Sequence, residues 1–469
     1  MSTFSGLSGA LSSLIAQRQA LDVAGQNVAN ANTVGYTRQR ADLTSIAALS
    51  APSMFSTGVT AGDGTSVSGI TRMGDVFLDA RLRAQTGGAS LAATRADTYS
   101  QIESTVAEPG DTGVSNALQE FWAGWSDLGN TPGSAASRNV LLADATALTQ
   151  QISAGYNAVT TQWSQTRTQL DAAVVNVNST ATQIAGLNGS ISSVLASGGS
   201  ANELMDQRDV LVTQLSAAVG ASAVQHADGT VDVMVGGNAL VRGTNAQAIA
   251  LNPNSDTMGS QVSLSWAGSG YPLDATAGTI VGFVTALAPA GDGGILAGAA
   301  KSYDDLATSL ITQVNAQHHL AESTPGVAGG DFFNVTAPGS SAAATLSVAI
   351  TDPTLVAVAK PGAGALDGSM ADTMSQIGTL TTGPDATWSA FVVDLGVKSS
   401  SATQNATITE ATRSNAAGLQ LSNASVDLDE ESTNMLAYQR AYEGAARVLT
   451  TMDQMLDTLI NHTGIVGIA

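Results

Sequence analysis

The side chains that could perform chemistry are few and scattered. The chain has four histidines, His226, His318, His319 and His462, and no cysteine. The absence of cysteine excludes a thiolate nucleophile and a cysteine-ligated metal, and the histidines are too dispersed to indicate a catalytic base. His318 and His319 are neighbours with Glu322 within one turn, but a metal site normally needs three or four converging ligands. The sequence predicts no catalytic residue and no metal site.

The motifs that bind phosphate or present a nucleophile are also missing. A Walker loop needs two glycines separated by four residues and then Lys followed by Ser or Thr, because the backbone cradles the phosphate and the lysine reaches it. The segment from Gly294 to Ser302 has a different spacing, and no G-x-S-x-G segment occurs. We therefore expect no cofactor and no enzymatic activity.

The charge balance narrows the classes of partner. The chain has 17 Lys+Arg against 38 Asp+Glu, which gives a formal net charge of −21 at pH 7. Nucleic acids and anionic membrane surfaces both attract cations, so neither is expected as a partner. No uninterrupted apolar stretch of about 18 residues indicates a transmembrane helix. Residues 1–17 lack the positive start and the continuous apolar block of a cleavable secretory signal.

The elements with the strongest pattern lie at the two ends of the chain. Between residues 4 and 28, apolar residues recur at steps of three and four, which predicts an amphipathic helix with a narrow stripe suited to another helix. We expect this helix to end near Gly35, because glycine readily takes the left-handed conformation that closes a helix. The residues predicted to form subunit contacts on this stripe are Leu7, Leu11, Leu14, Leu21 and Val28.

A second and longer stripe runs from Asp427 to His462, where 36 residues of helix would extend about 54 Å. Four carboxylates crowd its first turn, next to free N–H groups and the positive end of the helix dipole. Asp427 and Glu430 have the spacing of a capping box. The residues predicted to form subunit contacts are Leu428, Met435, Tyr438, Tyr442, Leu449, Met452, Leu456 and Leu459.

One apolar stripe does not stabilise a helix of this length on its own, because isolated helices need packing partners to persist. The polar face of residues 427–462 carries more acids than cations, which disfavours a membrane-surface helix. We therefore hypothesise that both ends are mobile in the free chain. In this hypothesis they become ordered by pairing with each other and with neighbouring subunits.

The interior alternates between helical and strand patterns. Helical spacing predicts helices over 76–106, 115–128, 135–195, 202–216, 295–320 and 387–421. Strands are predicted at 223–225, 231–235, 261–266, 279–284 and 345–350, with a hairpin turn at Asp228-Gly229 and a hairpin or loop over 56–69.

These elements predict a mixed fold that is mainly α. It combines long terminal helices that form a coiled coil, a helical-bundle domain with a β-hairpin, and an inserted all-β domain. The predicted terminal domain is 1–35 with 425–469, the helical domain is 36–216 with 295–320 and 369–424, and the β domain is 217–294 with 321–368.

Two motifs at opposite ends of the chain resemble signatures of bacterial flagellar rod, hook and hook-associated proteins. The first is Asn30-Ala31-Asn32-Thr33-Val34-Gly35-Tyr36-Thr37-Arg38-Gln39, and the second combines Leu428-Asp429-Glu430-Glu431 with Tyr438-Gln439-Arg440-Ala441-Tyr442. The residues that carry the first motif are Asn30, Asn32, Thr33, Gly35, Tyr36 and Arg38. Interior segments such as Asn202 to Asp209 and Gly330 to Phe333 are similar to the hook-associated members.

The resemblance implies an exported structural adaptor between hook and filament. It implies type III export without a cleaved signal peptide, an extracellular location, and a ring of about eleven copies held through the terminal helices. The implied partners are the hook protein, the next hook–filament junction protein, and an export chaperone on the C-terminal helix. Two alternatives stay open, a flagellar hook or rod subunit and a secreted enzyme or adhesin.

Overall fold

The computed structural model describes residues 3–47, 62–337 and 339–462, and most of them are helical. Helix α1 (Thr3–Asn30) leads into a hairpin of β1 (Gln39–Ser45) and β2 (Thr65–Arg72), which pair antiparallel. Helix α1 ends five residues before the glycine where we expected it to stop, because a turn forms first and Thr33 N–H bonds to the Asn30 carbonyl. Of the predicted hairpin or loop over 56–69, residues 56–61 lie outside the described residues.

Four helices then build the body, with bounds close to the predicted ones. They are α2 (Val76–Val106), α3 (Val114–Asn130), α4 (Ala135–Ala196) and α5 (Asn202–Val219). Asp75 caps α2 by accepting from the amides of Phe77 and Leu78. Helix α4 has 62 residues, about 93 Å, and contacts both α3 and α5.

A small sheet follows α5, as the change of pattern predicted. Its strand order is β3 (Ser222–Gln225), β4 (Val231–Val235), β5 (Asn238–Arg242) and β6 (Asn245–Ala246). A separate pair joins β7 (Ile249–Leu251) to β8 (Leu264–Trp266). Gly229 has a φ of 82° in the β3–β4 turn, which confirms the predicted Asp228-Gly229 turn.

The strand predicted at 279–284 is wrong, because this segment belongs to helix α6 (Thr279–Leu287). Ile280 and Ala286 are buried. Gly282 lies against α2 so closely that an added Cβ would come within 2.6 Å of Thr94 Cβ. A short apolar run has the same composition in a buried helix and in a buried strand, so its pattern does not distinguish them.

The part of the chain that follows α6 is mainly helical. The elements are α7 (Ile295–His318), β9 (Phe333–Val335), α8 (Ala342–Thr345), β10 (Leu346–Val348), α9 (Ser369–Ser375), α10 (Pro384–Ala424) and α11 (Leu428–Asp457), followed by a π-helical turn (Thr458–His462). Three 3-10 turns lie at Ala290–Asp292, Pro353–Leu355 and Gln376–Thr379. In the described part of the chain, no helix has both the length and the hydropathy that a bilayer crossing requires.

The two β-containing segments contact different parts of α4. The Asn178 amide bonds to Ile249 of the first segment, whereas the Ser153 hydroxyl donates to the Ala344 carbonyl of the second. The 25 residues that separate these two positions of α4 correspond to about 37 Å of helix. The division of the chain into three domains stays a prediction.

Candidate functional site

The terminal helices α1 and α11 pack against each other, and α1 also packs against the β1–β2 hairpin. The buried face of α1 is made of small residues, including Ala16, Ala20 and Ala24, which allow close approach. Tyr438 of α11 packs against a cluster that includes Ala20. The two ends of the sequence therefore form one unit, which we call the terminal pair and define as α1 with α11. Its existence confirms the predicted pairing of the terminal helices.

The residues predicted for subunit contacts are half-buried or exposed in the terminal pair. Those that are half-buried are Leu7, Leu14, Leu21, Met435, Tyr438, Tyr442, Leu449, Met452 and Leu456. Those that are exposed are Leu11, Val28, Leu428 and Leu459. Much of the apolar surface of both stripes is thus accessible, and their role in contacts between subunits stays a prediction.

A buried carboxylate lies where α11 begins. Asp427 accepts from the amides of Asp429 and Glu430, which confirms it as the helix cap. The side chain of Glu431 is only 3% exposed, and its oxygens accept from Arg38 Nε at 2.7 Å and from Asn27 Nδ2 at 3.2 Å. Glu430 does not complete the capping box, because its carboxylate pairs with Arg38 at 2.8 Å. Arg38 therefore pairs with two of the four carboxylates of this turn.

Asn27 of α1 connects three segments through one side chain. Its Nδ2 donates to the Gln39 carbonyl at 2.8 Å as well as to Glu431, and its Oδ1 accepts from the Gln39 amide at 3.0 Å and from the Tyr36 hydroxyl at 2.8 Å. Burial, and then the charges of Asp206, Glu203 and Glu431, raise the pKa of Tyr36 to about 12. The phenol therefore stays protonated and donates. An amide with all four bonds made is well suited to a buried position.

The rest of the first motif forms the turn between α1 and β1. Thr33 Oγ1 donates to Asn30 Oδ1 at 3.2 Å, and Asn32 is exposed. Gly35 has a φ of 81°, and an added Cβ there would lie 2.3 Å from Val210 Cγ2 of α5. Only glycine meets both conditions, since L side chains rarely adopt this φ and the space is occupied. The motif therefore brings the turn onto the body.

Acidic residues of α5 hold the other side of the turn. Asp206 accepts from the Thr37 amide at 3.1 Å and pairs with Arg72 of β2 at 2.7 Å. Asp209 pairs with the same Arg72 at 2.7 Å and with Arg83 of α2 at 3.3 Å. These ionic contacts attach the hairpin to two helices of the body.

We call these polar contacts the junction network and define it as Asn27, Tyr36, Thr37, Arg38, Gln39, Arg72, Arg83, Asn202, Asp206, Asp209, Glu430 and Glu431. Asn202 completes it by donating to the Gln39 side chain at 2.9 Å and to the Ile70 carbonyl at 3.0 Å. The network fixes the terminal pair relative to the helical body. It contains no arrangement of nucleophile and base.

Gly35, Tyr36 and Arg38 of the motif lie in the turn that leads from α1 to β1. Their role as a family motif stays a prediction. Sequence reasoning did not identify Asn27, Asp206 or their partners as members of the same site. The feature of the sequence that could have indicated the pairing of Arg38 with Glu430 and Glu431 is their opposite charge. Arg38 is an isolated cation in its motif, and the chain has a crowded acidic turn at 427–431 that requires a cation.

The histidine pair lies far from this network and does not form a shared site. His318 is fully buried, with Nδ1 bonded to the Gly330 carbonyl at 2.6 Å and Nε2 accepting from the Ala357 amide at 2.8 Å. Burial lowers its pKa, so the ring is neutral. His319 instead pairs with Asp331. Among the described residues, no group of three or more His, Asp or Glu could hold a metal.

Comparison with known proteins identifies the family. The family model described as "Flagellar hook-associated protein FlgK helical domain" matches residues 99–333. The two ends match broader families, "Flagella basal body rod protein" over residues 7–37 and "Flagellar basal body rod FlgEFG protein C-terminal" over residues 420–462. A relative in Bacillus subtilis, named flagellar hook-associated protein 1, is 30% identical over 99% of both chains. The chain belongs to the flagellar hook-associated protein 1 family.

Other relatives agree with this assignment. The protein of the same name in Salmonella typhimurium is 31% identical over 70% of this chain, and the alignment spans 59% of that relative's length. A solved structure described as the flagellar hook junction protein FlgK from Burkholderia pseudomallei has a TM-score of 0.59, 18% identity, and covers 74% of this chain and all of that one. That likeness shows a shared fold. Family membership makes the chain a structural component of the flagellum rather than an enzyme, as the sequence predicted.

Proposed function

We propose that this chain is a structural adaptor that joins the flagellar hook to the filament, and that it assembles as a ring through its terminal pair. The observation that carries the proposal is the outer surface of the terminal pair. Ile15 is 56% exposed, Leu436 58% and Met455 54%. Large apolar residues at such density on one unit indicate a surface that an assembly covers.

A ring requires each copy to use two different surfaces, because head-to-tail contacts close into a ring when the rotation fits. In the proposed ring of about eleven copies, the apolar stripes of the terminal pair form the inner contacts. The hook protein would lie below this ring and the next hook–filament junction protein above it. The relatives' name, hook-associated protein, supports this position.

We also propose that the chain is extracellular and reaches its position by type III export without a cleaved signal peptide. The terminal pair suits this route, because Glu431 is the one buried residue in the described part of α11. A helix that buries so little opens at low cost, as passage through a narrow channel requires. Its exposed leucines and methionines fit an export chaperone that covers α11 before assembly.

A deletion strain examined by electron microscopy tests the function. Loss of an adaptor leaves hooks that carry no filament. Full filaments on deleted cells would refute the proposal. Loss of the hook itself would favour the alternative of a hook or rod subunit, which the rod-family matches at both ends support.

Complementation then tests the surface. Val448→Lys with Met455→Lys places two charges on the exposed side of α11, and we expect it not to restore filaments. The matched control is Val224→Lys with Tyr271→Lys, which changes two residues that are 50% and 72% exposed outside the terminal pair. We expect the control to restore filaments. Equal restoration by both variants would contradict the role of the terminal pair.

A further inference from the structure

We propose that the groove between α2 and α10 binds the acidic face of α3 and α4 of a second copy of this chain, head to tail. This inference rests on the proposed ring and names the contact between the helical bodies within it. It differs from the contact through the terminal pair, because it uses surfaces on the far side of the junction network.

The groove has a volume of about 600 Å³. On α2 its lining includes Gly88, Ala92 and Arg95, and on α10 it includes Val397 and Lys398. An added Cβ at Gly88 would meet nothing within 4 Å, so the groove is open at that point. The small lining residues leave space for another protein's side chains, and the two cations border that space.

The charge of the groove is opposite to that of the chain. Arg95 and Lys398 are its charged residues, and no carboxylate occurs among the described residues that line it, whereas the whole chain carries −21. No ion pair forms on Arg95 within the described ranges. Lys398 pairs with Asp394 at 2.7 Å, but both side chains are more than half exposed, so this pair is weak. The groove therefore suits an acidic surface, and the chain itself supplies one.

The acidic face lies on α3 and the beginning of α4. Glu120 and Asp127 are exposed and seven residues apart, so they share one side of α3. Asp144 of α4 lies near Glu120, and burial and this neighbour raise the pKa of Asp144. None of these three carboxylates has an ion pair among the residues that the structure describes. A cation from another copy would relieve their mutual repulsion.

Apolar residues accompany the charges on both surfaces. Val397 at the groove is 65% exposed, and Val140, one turn before Asp144, is 56% exposed. An interface normally combines an apolar centre with a polar rim. The proposed contact therefore places Val140 of one copy near Val397 of the next, with Glu120 and its neighbours close to the two cations.

The positions of the two surfaces allow a head-to-tail contact. The acidic face and the groove are different surfaces, because none of the residues of the acidic face lines the groove. They also lie at different levels along the body. Gln162 Nε2 of α4 donates to the Thr98 carbonyl of α2, and Asp144 lies 18 residues before Gln162, or about 27 Å along α4. In the proposed contact, neighbouring copies are therefore offset by about 27 Å along the direction of α4.

Cross-linking in the assembled flagellum tests the contact directly. The chain has no cysteine, so the introduced thiols are its only ones. We expect Val140→Cys with Val397→Cys to give a ladder of linked copies in isolated hook–filament preparations after a short bis-maleimide is added. The control Val140→Cys with Val224→Cys places the second thiol on β3, and we expect only monomers. A ladder from the control alone, or no ladder from the test pair, would overturn the proposal.

Charge reversal provides the second test. We expect Arg95→Glu with Lys398→Glu to reduce the number of filaments per cell at least tenfold, and Glu120→Lys with Asp127→Lys to do the same. Combining all four reversals restores complementarity and should restore filaments. The control Arg242→Glu with Lys360→Glu makes the same charge change at two exposed cations elsewhere. Filaments at the control level in both double variants would refute the contact.

These outcomes separate this inference from the proposed function. If deletion removes filaments while both double reversals support them, the adaptor function holds and the contact between bodies is wrong. If deleted cells keep their filaments, the adaptor function itself is wrong. Cross-linking then still reports on the contact.

Discussion

Replacing Arg38 with alanine should release the first turn of α11 from the rest of the protein. The side chain of Glu431 is 3% exposed and that of Arg38 is 16% exposed, so the substitution leaves a buried carboxylate without its cation. Breaking such a pair costs about 3 to 5 kcal/mol. Asn27 still donates to Glu431, so we take the lower end. The loss of the second pair, to the exposed Glu430, adds little.

A loss of about 3 kcal/mol corresponds to amide exchange that is on the order of 100-fold faster. The assay is hydrogen exchange followed by mass spectrometry on peptides that cover 428–436. Arg40→Ala is the matched control, since Arg40 is two residues away and 61% exposed, and its pair with Asp42 lies at the surface. We expect the control to change exchange by less than about threefold, or 0.6 kcal/mol.

A double variant distinguishes the effect of losing the ion pair from the effect of leaving the buried Glu431 carboxylate unpaired. Arg38→Ala with Glu431→Leu removes both partners, and the stability of the first turn should return to within about 1 kcal/mol of the wild type. Equal exchange in the Arg38 and Arg40 variants would refute the reasoning. So would a double variant that is as labile as Arg38→Ala alone, because the buried charge would then not be the cause.

Three further predictions concern the turn, the core histidine and the sheet. Gly35→Ala should lower the melting temperature, because a left-handed backbone conformation costs an alanine about 1 kcal/mol and the contact of its Cβ with Val210 costs about 1 to 3 kcal/mol more. The control is Gly25→Ala, where an added Cβ meets no atom within 4 Å. This control should stabilise α1 by up to about 1 kcal/mol. Burial lowers the pKa of His318, so as the pH falls below about 6.5 the unfolded chain takes up the proton first and stability is lost. Melting curves at pH 8 and pH 5 should therefore show that the difference in melting temperature between the wild type and His318→Asn is smaller at pH 5. An equal difference at both pH values would count against a neutral ring. Asn188→Ala removes bonds to the backbone of Val231 and Gly243, and hydrogen exchange should rise over 231–243 by about 10-fold or more while 333–348 is unchanged.

Local sequence patterns were sufficient to predict most of the helices. The predicted helix over 76–106 has the same bounds as α2, because Asp75 provides a cap and the apolar residues keep helical spacing throughout. The segment 279–284 failed for a tertiary reason. Its helical state depends on close packing against α2, where Gly282 leaves room for Thr94, and no residue within the segment signals that contact.

The junction network shows the limit of sequence reasoning more clearly. The motif residues were visible as a group, but Asn27 bonds to Glu431 across 404 positions of the sequence. The crowded acidic turn around Glu431 indicates that a cation lies nearby, but no residue near Asn27 points to Glu431. Such a pair follows from the three-dimensional path of the whole chain, so the two motifs could be noticed while the bonds between them could not.

The pairing of α1 with α11 also sets an order of events. Helix α1 can pack against the β1–β2 hairpin early, but it completes its packing only after α11 has been synthesised, whereas the core of α2 to α10 is a separate cluster. Throughout this interval the apolar side of α1 is available to any protein that binds it. The time at which the terminal pair forms is therefore determined by the arrival of α11.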